Sequence, residues 1–135
     1  VVIGVGIDLV EIARLKKTLG SSSGERFAEK VLTPLERELA ELRPGRRVEF
    51  VAGRFAAKEA VVKALGCGIG AQVGFQDIEV RPDERGKPEC RLSSTALARL
   101  GMADPEKQLR IHLSITHTNT MAAAYALIEQ EESRI

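Results

Sequence analysis

Three places in the sequence hold residues whose types suit catalysis. Asp8 follows Gly4 and Gly6 at alternate positions, Glu59 and Lys63 stand one helical turn apart, and His117 follows an apolar run. Two carboxylates from distant segments are what a hard cation such as Mg²⁺ needs, with waters and substrate phosphates completing its octahedron. A lysine one turn from such a carboxylate can neutralise phosphate charge or protonate a leaving group. Each residue also has a plainer reading. A Glu–Lys pair at this spacing is commonly a surface ion pair worth about 0.3–0.5 kcal/mol. Asp8 equally suits the cap of a following helix. His117 shares strand parity with Ile111, Leu113 and Ile115, which fits a core histidine, and Arg46, Arg47 and Arg54 read as solvated charge.

These residues need elements to hold them. Residues 1–9 alternate Ile3, Val5, Ile7 and Leu9 against Val2, Gly4, Gly6 and Asp8, a strand by its period of two. Glycine inside a strand marks either a packing constraint or close approach of a ligand or another backbone. Ile12, Leu15 and Leu19 then give helical spacing over Val10–Leu19, a Gly/Ser loop follows, and Glu25–Leu32 reads as a short helix. Thr33, Pro34 and Glu36 are cap, first and third residues of another helix, which ends near Pro44-Gly45. Residues 48–65 form the strongest helix. Val51, Phe55 and Val62 make a bulky stripe, and Ala52, Gly53, Ala56, Ala57, Ala60 and Ala64 a stripe of small residues that invites close packing. Gly66 suits its C-cap; the glycines that follow lack the preceding strand of a dinucleotide loop. Residues 76–81 and 89–92 predict a hairpin, Ser93 or Ser94 caps a helix ending at Gly101, and residues 110–116 and 121–129 form a second hairpin. The order predicts one α+β domain over 1–135 with a mostly antiparallel sheet packed with helices.

Composition narrows the function. The 135 residues carry 20 basic and 19 acidic side chains, a formal charge of +1, and 4% aromatics without tryptophan. Neither bulk electrostatic binding to nucleic acid nor a stacking platform for bases fits that balance. No apolar run reaches the roughly 18 residues of a membrane span, and the apolar N-terminus has no basic leader, so the expectation is a soluble, cytoplasmic chain. Two cysteines and two histidines supply neither a disulfide scaffold nor a zinc pattern.

Five segments occur in an order and spacing that add a further reading: GIDLVEIARL, FVAGRFAAKEAVVKALGCGI, QDIEV, GKP and SITHT. Together, over about residues 2–129, they resemble the bacterial holo-acyl-carrier-protein synthases of the 4′-phosphopantetheinyl transferase superfamily. The resemblance implies that family's fold and its reaction, in which the phosphopantetheine arm of coenzyme A passes to a serine of apo-acyl carrier protein and adenosine 3′,5′-bisphosphate is released. It implies Asp8 and Glu59 as ligands of Mg²⁺, with Mn²⁺ also suited, and Lys63 near the pyrophosphate. Arg54, His117 and Arg46 fall at nucleotide and 3′-phosphate positions, Gly86, Lys87 and Pro88 near the adenine, and Arg14 where the acidic helix of the carrier docks. It also implies a cytoplasmic homotrimer with coenzyme A sites between subunits, in the usual context of fatty-acid synthesis. Gly45 stands where relatives often carry another basic residue, and residues 94–109 are a longer insert than the shortest members have. A non-catalytic coenzyme A-binding module is the competing reading. The joint presence of Asp8, Glu59 and Lys63 speaks against it.

Overall fold

The computed structural model describes residues 1–132. Strand β1 (Val2–Glu11) runs two residues beyond Leu9, because Val10 and Glu11 stay paired with Ala122 and Met121. Helix α1 (Ile12–Leu19) therefore begins at Ile12, and Asp8 lies inside the strand instead of capping the helix. Two short helices follow, α2 (Gly24–Val31) and α3 (Pro34–Glu41). The predicted capping box opens α3: the Glu36 amide donates to Thr33 Oγ1 at 3.3 Å, and the Thr33 amide donates to Glu36 Oε1 at 2.8 Å. Helix α4 (Arg47–Leu65) ends at Gly66, whose φ of 77° is a left-handed conformation that glycine adopts without steric cost.

The second half builds the sheets. A 3₁₀ turn (Phe75–Asp77) leads into β2 (Ile78–Pro82) and β3 (Pro88–Leu92). Helix α5 (Ser94–Arg99) is capped by the Ser93 hydroxyl, and β4 (Lys107–His117) and β5 (Met121–Glu132) complete the order. All pairings between these strands are antiparallel, in a three-stranded sheet β1-β5-β4 and a two-stranded sheet β2-β3. The α+β expectation holds.

Helix α4 is the spine. Ala52, Ala56, Ala57, Ala60 and Ala64 are buried, as are Ala122, Ala124, Ala126 and Ile128 of β5. The glycines of β1 serve this packing: a Cβ on Gly4 would overlap the Ala64 carbonyl, and one on Gly6 the Ala60 carbonyl. Their absent side chains let the strand backbone rest directly on the helix backbone. The opposite face of β1 is bare. Val5, Ile7 and Leu9 are 53%, 60% and 65% exposed, with Tyr125 of β5 beside Ile7 in register.

Candidate active site

The β1–α4 contact brings the first three candidate residues together. Asp8 is the next residue of β1 after Gly6 to face the helix. Lys63 Nζ donates to Asp8 Oδ1 and to the Ile7 carbonyl, both at 3.0 Å. The salt bridge of Lys63 is thus with Asp8 across the contact, not with Glu59 along the helix. Burial and then the neighbouring Asp8 carboxylate hold Glu59 above the usual carboxylate range, with Lys63 opposing. Two carboxylates that raise each other's energy, with a half-exposed ammonium alongside, form a donor set suited to a divalent cation bridging to phosphate.

A second constellation lies at the start of α4. A cleft of about 230 Å³ is lined by Arg43, Arg46, Glu49, Phe50 and Arg54 on one side and by Pro82, Gly86, Pro88 and His117 on the other. Arg54 is buried, against the expectation of solvated charge, with its guanidinium carbon 4.3 Å from the centre of the Phe50 ring. Arg43 lies 5.3 Å from the same ring. Burial pulls the Arg54 guanidinium down to about 10, against the attraction of Glu36 and with help from Arg43, so it stays charged at neutral pH. Its Nε is buried with no hydrogen-bond partner among the described residues. A buried unsatisfied donor costs about 1–3 kcal/mol. Three arginines against one glutamate, one of them short of an acceptor, are what an anionic ligand needs.

His117 is exposed at the rim of this cleft, so the core-histidine alternative fails. It keeps the parity of Leu113 and Ile115, but it is the last residue of β4 and opens onto the cleft instead of packing under α4. The structure brings Arg46, Arg54, Gly86, Pro88 and His117 together and leaves Lys87 out. Lys87 lines a separate depression between β3 and β4 with Arg110 and His112. Arg14 is exposed on α1, beside a groove walled by Leu9, Leu15, Phe27 and Phe55.

Residues 4–126 match the sequence profile of the 4′-phosphopantetheinyl transferase superfamily. The chain belongs to that superfamily. It is 46% identical over 130 residues to the holo-[acyl-carrier-protein] synthase of Geobacillus kaustophilus, covering 96% of this chain and 90% of that one. A solved Bacillus anthracis holo-(acyl-carrier-protein) synthase in complex with CoA (3′,5′-ADP) is 43% identical, with a TM-score of 0.76 over 94% of this chain and 96% of that one. The Helicobacter pylori enzyme in complex with coenzyme A is 31% identical, with a TM-score of 0.78 over 93% and 99%. The chain is therefore an enzyme, a phosphopantetheinyl transferase of the holo-acyl-carrier-protein synthase type.

Sequence reasoning missed six residues that line this transferase's cleft, among them Arg43, Glu49 and Phe50. Phe50 and Arg54 stand four apart on one helix, the spacing at which a ring and a guanidinium meet, so that pair was open to detection. Arg43 sits in the turn before α4, where no periodicity reports its direction.

Proposed function

We propose that this transferase moves 4′-phosphopantetheine from coenzyme A onto a serine of apo-acyl carrier protein and releases adenosine 3′,5′-bisphosphate. The observation that carries the reading is the convergence of Asp8, Glu59 and Lys63 where β1 meets α4. Coenzyme A bound in the B. anthracis and H. pylori relatives supports the donor. Asp8 and Glu59 would hold Mg²⁺, and Mn²⁺ suits the same oxygens. When bound, such a cation neutralises charge on the pyrophosphate oxygens.

The chain's own residues do the rest. Arg54, Arg46 and Arg43 hold the 3′-phosphate side of the nucleotide, and Arg54 Nε gains its acceptor there. Gly86, Pro88 and His117 flank the adenine. The carrier's serine oxygen bonds to the β-phosphorus while the bond from that phosphorus to the bridging oxygen of the nucleotide breaks. Glu59, or a water oriented by Asp8 and Glu59, accepts the serine proton. Lys63, half-exposed, meets the charge that develops on the departing phosphate. Arg14 and the apolar groove beside Phe27 and Phe55 receive an acidic, amphipathic helix of the carrier.

The active unit is a homotrimer in the cytoplasm, serving fatty-acid synthesis. Two features support assembly. The bare face of Val5, Ile7, Leu9 and Tyr125 is an apolar patch of the kind that marks a protein interface. The arginine cleft and the Asp8–Glu59–Lys63 cluster share no lining residue within one chain, as expected of half-sites completed by a neighbour.

Mass spectrometry of an apo-acyl carrier protein incubated with the enzyme, coenzyme A and Mg²⁺ tests the reaction, with chelator and Asp8→Ala as controls. The expected outcome is a metal-dependent gain of one phosphopantetheine. No gain, with coenzyme A still bound in a separate titration, would point to the wrong carrier or to the non-catalytic module.

A further inference from the structure

Helix α4 carries a buried ionisable group that the transfer does not use. Lys58, the residue before Glu59, is fully buried. Its ammonium donates to Glu36 Oε1 at 2.6 Å, to the Val31 carbonyl at 2.7 Å and to the Phe75 carbonyl at 3.0 Å. Glu36 is as completely buried. Its Oε1 also accepts the Thr33 amide and its Oε2 the Val80 amide, both at 2.8 Å. Taking two charges out of water is expensive, and well-packed apolar residues would often hold a core as tightly. What the ion pair adds is direction, because each of its bonds ends on one particular backbone atom.

Those backbone atoms line neither recognition surface themselves, but Val31, Phe75 and Val80 lie next in the chain or in packing to residues that do. Val31 ends α2, which carries Phe27. The Phe75 ring lies 5.6 Å from that of Phe55, and Phe55 lies 6.0 Å from Phe27. Phe27 and Phe55 wall the groove beside Arg14. Val80 stands two residues before Pro82, and Pro82, Gly86 and Pro88 form one wall of the arginine cleft.

We infer that the buried Glu36–Lys58 pair is a positioning device that fixes both the carrier groove and the coenzyme A cleft on helix α4. The inference rests on the function proposed above. Neither residue touches substrate; both act through the walls they hold.

The double variant Glu36→Gln with Lys58→Met removes both charges at nearly constant volume, so neither is left buried without its partner. Assayed well below its melting temperature, it keeps a cooperative unfolding transition. Its KM for coenzyme A and for the carrier each rise about tenfold, while kcat changes less than about threefold. A pair that serves stability alone lowers Tm and leaves both KM values at the parental level, and that result overturns the inference. Should the double variant not fold, the parent protein decides. In ¹⁵N-labelled parent titrated with adenosine 3′,5′-bisphosphate, the Val80 and Thr33 amides shift in step with the cleft residues. Both amides bond to Glu36, and neither residue lines the cleft. Binding without a response at these two amides overturns the positioning role. No binding to the parent at all removes the coenzyme A reading, and this inference falls with it.

Discussion

In the proposed mechanism each ionisable residue of the candidate site takes a different task because its surroundings differ. Glu59 is partly desolvated beside the Asp8 carboxylate, which holds its carboxyl above the usual range, and in the proposed mechanism it takes the base role. Glu59→Gln keeps the shape and removes the base; kcat should fall at least about 10²-fold with the fold intact by circular dichroism. A variant of near-normal kcat would end that assignment. Lys63 is tied to Asp8 yet half exposed, so a third N–H remains to meet developing charge. Lys63→Ala should lower kcat more than it weakens coenzyme A binding in a calorimetric titration, whereas a pure KM effect would mark Lys63 as a binding residue only. These residue types were legible in the sequence, but their partners were not. Lys63 finds Asp8 and Lys58 finds Glu36 only after folding, and a lysine with three buried acceptors looks in sequence like any charged helix position.

Among the elements, the β1–α4 contact fixes the carboxylate geometry, and it depends on two missing side chains. Gly6→Ala drives a methyl into the Ala60 carbonyl, which cannot rotate away as a side chain would. The loss should be at least about 3 kcal/mol, the upper end for overpacking, and any folded fraction should bind Mn²⁺ more weakly because Asp8 is displaced. Denaturant unfolding and a Mn²⁺ titration read the two effects separately. The 3₁₀ turn offers a pH test. The Gly74 amide and then the Ser93 hydroxyl hold the Asp77 carboxyl below its ordinary value of 3.8, with Arg99 adding to them and burial opposing. A carboxyl lowered on folding stabilises the fold fully above that ordinary value and loses its contribution as pH falls through the lowered one. Asp77→Asn should therefore reduce Tm at pH 7, and its Tm should converge on the parent's in acid. A constant difference across the whole range would contradict this. The alternation of the strands and the Thr33–Glu36 cap were legible because they are local. The end of β1 was misplaced because Val10 and Glu11 obey a strand partner far along the chain, not the helical spacing of Ile12, Leu15 and Leu19. The placement of His117 was hidden for a similar reason: parity gives a face of the sheet, but not how far along that face the covering helix extends.

For the whole molecule, the proposed trimer puts assembly on the bare face of the three-stranded sheet. Val5 and Ile7 pair in register with Leu127 and Tyr125, so a charge at Val5 lands in the middle of an apolar surface. Val5→Asp should convert a species of three times 14.7 kDa into one of 14.7 kDa in sedimentation equilibrium, and turnover should fall with it. Parent protein that itself sediments as a single chain would remove the shared-site reading. The sequence showed the alternation of β1 but not which half would be buried: the more apolar set, Ile3, Val5, Ile7 and Leu9, faces away from α4, while Gly4 and Gly6 rest on its backbone.

The sheet order β1-β5-β4 also sets a timetable for synthesis. Of the five described strands, the one that joins the two outer ones leaves the ribosome after the other four, while β1, with Asp8, leaves before them. Until Met121 and the residues after it emerge, a nascent chain can lay β1 on α4 but has no neighbour to hydrogen-bond it, and its apolar strand edge stays open. A polypeptide released before that point would carry every candidate catalytic side chain and still be unable to hold Asp8 in place. Such a fragment would present the open apolar edge that chaperones and proteases act on.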